Sequence, residues 1–241
     1  MIVTEDISQL PRTWYHGTTS LHINSFIRNG INVHYSEARV KTDFGRGFYL
    51  TSNWQQAYRW AENACKRESA EYPQKQLDPV IVECEVYTEA FRELPYKVFT
   101  ETDIEWAEFI LENRTIPQGP AYPLKNNPNP DVVRDLPHVK ETMNQIASTQ
   151  AGRAYHSFNC VYGPMADGRN ARHLRNCLER VKRKKMRPEQ FLVEIVSKKY
   201  KFPISHQLSI NTHEASNFVE LRGVFNIAKG RWQHPVTSRE A

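Results

Sequence analysis

Five short segments rich in apolar or β-branched residues predict β-strands. The clearest is Pro79–Tyr87, PVIVECEVY, which is rich in β-branched residues and alternates between polar and apolar residues in its second half. The remaining four are TWYH within Leu10–Thr18, Phe48–Leu50, Ser157–Pro164 and Phe202–Thr212.

Longer segments carry apolar residues at helical spacing. Leu21–Asn29 is followed by Gly30, which is typical of a helix C-terminus. Asn53 is a good N-cap for a helix that continues to about Glu68. Further helices are predicted at Asp103–Arg114 and at His138–Gly152. We expect Glu214–Gly230 to close the fold with a helix and then one last strand. Strands and helices alternate too unevenly for a doubly wound sheet, so the predicted class is α+β.

A proline-rich segment interrupts this pattern. Pro117–Pro137 holds six of the 14 prolines and cannot form a regular element. We therefore expect a single domain over residues 1–241, with an insertion or long loop at about 115–138 that serves as a lid or as a partner-binding segment.

Composition narrows the class of protein. Hydrophobic residues make up 39% of the 241 residues and aromatic residues 11%, which favours a folded domain over disorder. No apolar run reaches the length of a membrane span, and the acidic N-terminus does not resemble a signal peptide. The four cysteines form no CxxC pair and have no metal-ligand spacing with histidine. We expect a cytoplasmic protein with reduced cysteines, no metal and no membrane partner.

The net charge of +5 permits contact with phosphates without requiring it. Much of the positive charge lies in Arg169–Arg187, RNARHLRNCLERVKRKKMR, which we interpret as a basic helix. Such a helix presents either a solvated face or a surface that binds nucleic acid or another polyanion.

Two segments carry candidate chemistry. In DFGRGFYLTSNWQQAYRWA, Asp43–Ala61, a turn bounded by glycines precedes an aromatic strand and an aromatic helix, a combination that suggests a flat ligand held against the backbone. In WYHGTTS, Trp14–Ser20, a strand that ends in His-Gly can present an imidazole to a hydroxyl group and a backbone N–H and C=O to an amide. The alternative is that His16 is a buried structural histidine.

WYHGTTS, followed about thirty residues later by FGRGFYLTSNWQQAYRWA, resembles the NAD-binding half of the ADP-ribosyltransferase superfamily, on the side of diphtheria toxin and the poly-ADP-ribose polymerases. The chain looks most similar to a bacterial family known as a domain of unknown function. Three further stretches support the resemblance, which covers most of the chain outside the proline-rich segment: IEWAEFILENR at 104–114, VYGPMADG at 161–168 and HQLSINTHEA at 206–215. The resemblance implies a split antiparallel β-sandwich surrounded by helices.

The resemblance also implies roles for individual residues. Tyr49 would stack on the nicotinamide ring of NAD, with Trp60 closing the sandwich, although both rings could be ordinary core. Arg46 would bind the NAD pyrophosphate or a phosphate of the target. The expected NAD-binding set is His16, Gly17, Thr18, Arg46, Gly47, Tyr49 and Trp60.

One position departs from the family pattern. Where the superfamily has a glutamate on a late strand, this chain has Gln207, which accepts hydrogen bonds but carries no charge and cannot act as a base. A carboxylate could instead come from Glu214 or Asp167. The alternative is that Glu214 is simply an acid at a helix N-terminus and Asp167 simply a turn residue. The expected catalytic set is His16, Tyr49, Gln207, Glu214 and Asp167.

The resemblance implies an NAD-dependent enzyme that transfers ADP-ribose to a macromolecule without a metal. We favour nucleic acid, RNA or DNA, over protein as the acceptor because of the basic segment. A bacterial toxin, from a toxin–antitoxin or anti-phage system with an antitoxin or regulatory partner, fits by analogy. The alternatives are a non-catalytic module that binds nucleic acid or a partner, which Gln207 favours, and an NAD glycohydrolase that uses water as acceptor.

Overall fold

The computed structural model describes residues 5–31, 33, 42–115, 158–166, 176–177, 179–181, 183–196 and 205–235. Within these ranges the protein is α+β, with two four-stranded sheets. The strands are β1 (Thr13–Thr19), β2 (Phe48–Leu50), β3 (Pro79–Val86), β4 (Tyr96–Val98), β5 (Cys160–Pro164), β6 (His206–Ile210), β7 (Val219–Asn226) and β8 (Arg231–Pro235). The α-helices are α1 (Ser20–Asn29), α2 (Trp54–Glu71), α3 (Ile104–Thr115), α4 (Pro188–Ile195) and α5 (His213–Ser216), with 3₁₀ helices at Ile7–Gln9 and Thr88–Glu93.

The first sheet has the order β1-β3-β7-β8, and all its strands are antiparallel. The second has the order β2-β6-β5-β4, with β4 and β5 parallel. Strands β1 and β2 are therefore edge strands, one in each sheet. A single pair of residues joins these two edges, where Tyr15 of β1 bridges Thr51 just after β2.

Buried side chains divide the molecule into layers. The inner core fills the space between the two sheets and includes Trp14, Val82, Tyr162, Leu208 and Ile210. The outer core lies between the second sheet and the helices α3 and α4, and includes Phe44, Phe99, Trp106, Phe191 and Ile195. On the outer face of the first sheet, Ala57 and Ala61 of α2 pack against Ile81 of β3.

Most of the predicted elements in the described ranges are present within one to four residues. Gly30 ends α1 with φ of 67°, and Asn53 caps α2, its side chain accepting a hydrogen bond from Gln56 N. Asp103 caps α3 in the same way, accepting from Trp106 N at 2.8 Å. These ends were predictable because the capping residue lies next to the helix in sequence.

One prediction about elements is wrong, and some elements were not predicted. A single basic helix over Arg169–Arg187 is not formed, because residues 183–186 make a turn in which Lys184 has a positive φ, and Pro188 then starts α4. The helix and the last strand predicted within Glu214–Gly230 are both present, the helix as the four residues of α5 and the strand as β7, which pairs along the length of β3. Strands β4 and β8 were not predicted. The strand pairs are antiparallel as expected, except that β4 and β5 are parallel.

The predicted proline-rich loop and the predicted helix at His138–Gly152 lie outside the described residues. In the part of the chain that the structure describes, no helix is long and apolar enough to cross a membrane.

Candidate functional site

The two edge strands separate after a single hydrogen-bonded pair. Tyr15 N donates to Thr51 O at 2.8 Å, and Thr51 N donates to Tyr15 O at 2.9 Å. In a continued antiparallel ladder, the next such pair would be Gly17 with Tyr49. These two residues form no pair, because the carbonyl of Tyr49 accepts a hydrogen bond from Nδ1 of His16 at 2.8 Å. The motifs WYHGT and GRGFY therefore meet at an opening between β1 and β2.

The backbone of Gly17 faces this opening. Residues of a strand point their N–H and C=O groups alternately to the two edges, so those of Gly17 point to the same edge as those of Tyr15. That edge faces away from β3. Arg12 and Ser20, whose backbone groups point the other way, hydrogen-bond to Val86 of β3 and to Asp78 just before it. An amide ligand in the opening would meet one donor and one acceptor on Gly17.

Gly17 must be glycine for a reason that the sequence analysis did not give. A Cβ atom at this position would lie 2.1 Å from Ala57 O, 2.6 Å from Ala61 N and 2.8 Å from Trp60 Cβ. The missing side chain therefore makes room for α2, and not for a ligand at the strand edge. The same contact brings Trp60, which is partly exposed, next to Gly17, while Thr18 is buried.

The ring of His16 has a fixed tautomer. Because the carbonyl of Tyr49 can only accept, Nδ1 carries the proton, and Nε2 of the neutral ring is an acceptor. The ring lies against Phe48, with centroids 4.3 Å apart, and near Phe26. Removal from water lowers the pKa of His16 to about 4. Nε2 makes no hydrogen bond to the described residues, so it is available to a ligand hydroxyl.

The turn between the two glycines lies flat on β6. A Cβ atom on Gly47 would come within 2.5 Å of the hydroxyl of Ser209 and 2.7 Å of Ile210 O. Asn211 Nδ2 donates to the carbonyls of Phe44 and Arg46, at 2.9 and 2.6 Å. The guanidinium of Arg46 is partly buried, and this burial lowers its pKa. The turn is therefore a fixed part of the fold.

The side chain of Tyr49 is bound within the same turn. Its hydroxyl donates to Gly45 O at 2.7 Å and accepts from Phe44 N at 2.9 Å. Tyr49 pairs with Ser209 of β6, and the Tyr49 ring lies on the outer-core face of the second sheet. The His16 ring lies against Phe48, which belongs to the inner core. Burial raises the pKa of Tyr49. The two predicted anchor residues therefore meet through the backbone of Tyr49, and their rings lie on opposite faces of β2.

Gln207 contacts a carboxylate that the sequence analysis did not consider. Its Nε2 donates to Oδ2 of Asp43 at 2.7 Å, and Ala166 N donates to the same oxygen at 3.0 Å. Asp43 is 6% exposed and Gln207 is 4% exposed. Because a carboxylate only accepts, the NH₂ of the amide must face Asp43, and Oε1 points elsewhere. Oε1 forms no hydrogen bond to any described residue.

The start of α2 holds β6 beside this site. Gln56 Nε2 donates to His206 O at 2.7 Å, and the Ser52 hydroxyl lies 2.9 Å from Nε2 of His206. Oε1 of Gln56 is buried and has no partner among the described residues. The opening, the turn and Gln207 therefore belong to one continuous set of contacts.

Of the two carboxylates that were predicted to replace the missing acid, Glu214 does not lie beside Gln207. Glu214 is exposed in the first turn of α5, beyond the opposite end of β6, where it accepts from Asn159 Nδ2 at 3.1 Å. Its alternative interpretation as a helix N-terminal acid agrees with this position. Asp167 lies outside the described residues. Asp43 was overlooked because an aspartate before a glycine turn is typical of loops, and its partner is 164 residues away.

The comparisons with known proteins give one family. The model of a family described as "Protein of unknown function (DUF3990)" matches residues 14–221. No curated protein and no solved structure matches the chain.

Proposed function

Because the chain belongs to the DUF3990 family, for which no activity is described, we propose its function from its own site: it is an NAD-dependent ADP-ribosyltransferase. The observation that carries the proposal is the opening between β1 and β2, where the backbone of Gly17 lies beside the contact of His16 with Tyr49. A carboxamide such as that of nicotinamide has the donor and the acceptor that Gly17 would pair with. The two-sheet core supports the finer proposal of an ADP-ribosyltransferase-like fold.

The site also offers acceptors for ribose hydroxyl groups. Neutral His16 presents Nε2, and Gln207 presents Oε1. The backbone of Tyr49 borders the opening on the β2 side, and Cβ of Trp60 lies next to Gly17 on the β1 side. We propose that their rings enclose the nicotinamide ring and that Arg46 reaches the pyrophosphate. Fixed dipoles of this kind stabilise charge that develops in a transition state, because they need no reorganisation.

The proposed reaction breaks the bond between C1′ of the nicotinamide ribose and the pyridinium nitrogen. The electron pair of that bond goes to the ring nitrogen, so nicotinamide leaves as a neutral molecule and the ribose becomes an oxocarbenium ion. A nucleophilic oxygen or nitrogen of the acceptor then bonds to C1′ and releases a proton. With water as the acceptor, the products are ADP-ribose, nicotinamide and one proton.

We propose nucleic acid as the acceptor. Exposed basic residues surround the turn before α4, namely Arg180, Arg183, Lys184, Lys185 and Arg187. Such a group binds phosphates by releasing counterions, with an affinity that falls as salt rises. A toxin with an antitoxin or regulatory partner remains our proposal for its biological setting, by analogy with the superfamily.

The test uses NAD labelled in its adenylate half, incubated with the protein and with RNA, DNA or lysate proteins in separate reactions. We expect label on RNA or DNA and equal release of nicotinamide. Label on protein would correct the acceptor, and nicotinamide release without label transfer would indicate a glycohydrolase. No nicotinamide release from folded protein with any acceptor would support the non-catalytic module instead.

A further inference from the structure

The contact between Asp43 and Gln207 joins two segments that are distant in sequence. The carboxylate precedes the GRG turn, and the amide lies on β6 opposite Gly163 of β5. Ala166, just after β5, adds a backbone N–H to the same carboxylate oxygen. This contact joins three parts of the fold. The carboxylate comes from the segment before the turn, and its two donors come from β6 and from the residues that follow β5.

We propose that Asp43 is the acid of this site, and that it acts through Gln207. This inference rests on the proposed function. The carboxylate orients the amide so that Oε1 is presented to a ribose hydroxyl, and it puts a negative charge directly behind the amide. Asp43 is thus a positioning residue, and the pair does the work of the single glutamate that the family resemblance leads one to expect at position 207.

The physical basis is electrostatic. When the ribose–nicotinamide bond breaks, positive charge develops on the ribose, and the electron pair of that bond leaves with nicotinamide. A carboxylate that is shielded from water interacts more strongly with that charge than one in solvent. The hydrogen bond from Nε2 to a charged acceptor also polarises the amide, so Oε1 becomes a stronger acceptor.

The main test is the rate of nicotinamide release from NAD at saturating and limiting concentrations. Asp43→Asn removes the charge, but its side-chain oxygen can still accept from Gln207 Nε2 and Ala166 N. We expect kcat to fall about 100-fold while KM and the melting temperature change little. The matched control is Asp103→Asn, the same substitution at an exposed carboxylate that also accepts from a backbone N–H, and it should leave kcat unchanged.

Rescue separates a charge effect from a structural effect. The double variant Asp43→Asn/Gln207→Glu returns a carboxylate to the pair in the exchanged position, with the new amide as the donor. We expect the kcat of the double variant to be at least tenfold higher than that of Asp43→Asn. Equal kcat in wild type and Asp43→Asn, or a double variant no faster than Asp43→Asn, would overturn the inference alone. Wild-type protein that releases no nicotinamide would overturn the proposed function, and the inference with it.

A second measurement needs no catalysis. Gln207→Glu alone sets two carboxyl groups in contact, so one must keep its proton and has a raised pKa. The stability of this variant is therefore lost as pH rises through that raised pKa. We expect its melting temperature to fall further below that of the wild type between pH 5 and pH 8, and this trend to disappear when Asp43→Asn is added. A difference that does not depend on pH would show that Asp43 is not a charged neighbour of position 207.

Discussion

At the scale of single residues, the histidine of the HGT motif is held by a backbone carbonyl and not by a charge. His16 donates to Tyr49 O and lies against Phe48, and this half-buried position favours the neutral ring. A neutral ring with Nδ1 protonated can accept a hydrogen bond only at Nε2. The local fold therefore prepares His16 to recognise a hydroxyl group, and it makes the folded state sensitive to acid.

The pH dependence of stability tests this environment. The unfolded chain has a histidine pKa near 6.5, and the folded pKa of His16 is about 4. The unfolded state thus binds more protons between these values, so stability is fully present above pH 6.5 and is lost as pH falls towards 4. We expect His16 to contribute roughly 2 kcal/mol to the difference in unfolding free energy between pH 7.5 and 4.5. Urea titrations of wild type and His16→Asn should differ by this amount; equal pH dependence would show that the ring is solvated.

The hydroxyl of Tyr49 has a structural role that separates two substitutions. Tyr49→Phe keeps a ring but loses the bonds to Gly45 O and Phe44 N. We expect it to cost about 1–2 kcal/mol of stability and to keep much of the activity. Tyr49→Ala should lose both stability and activity. Thermal unfolding and nicotinamide release, measured on both variants, decide the matter; if Tyr49→Phe is as stable as wild type, the turn does not depend on the hydroxyl.

Sequence alone could suggest His16, Gly17 and Tyr49, because they lie in short motifs. It could not show that Gly17 is needed for the approach of α2, since this depends on how Ala57 and Ala61 pack on the strand. It could not show Asp43 either, because that carboxylate becomes part of the site only when β6 brings Gln207 to it.

At the scale of elements, the close contact of α2 with β1 fixes the position of the opening. We expect Gly17→Ala to cost about 3 kcal/mol, because the new Cβ would meet backbone atoms that cannot rotate away. Gly230→Ala is the control, since open space surrounds it and its positive φ alone should cost about 1 kcal/mol. Denaturant unfolding measures both. Equal costs would contradict the observed contact between strand and helix.

Elements with local signals were predictable, and elements that depend on distant partners were not. The N-cap of α2 and the alternation of β3 are properties of adjacent residues. By contrast, β4 has three residues and β8 contains a proline, so each is defined by the strand it pairs with. Strand β7 was expected as a last strand, but its length and bounds are set by its place between β3 and β8.

At the scale of the whole molecule, two sheets share one bridge and then part, and the candidate site lies where they part. Helix α2 supports the β1 side through Gly17, and β6 supports the β2 side through Gly47. Such a site is rigid on both sides. Binding should therefore require little rearrangement of the backbone, and a ligand of the right shape should stabilise the folded state by mass action.

Isothermal titration calorimetry with NAD, on the full chain, tests the central claim most directly. We predict one binding site in the wild type, with affinity lowered at least tenfold in His16→Ala while the circular dichroism spectrum of that variant remains native. Asp103→Asn, an exposed substitution at the start of α3, should bind as the wild type does. Folded wild-type protein that takes up no NAD at millimolar concentration, or His16→Ala that binds it equally well, would contradict the account.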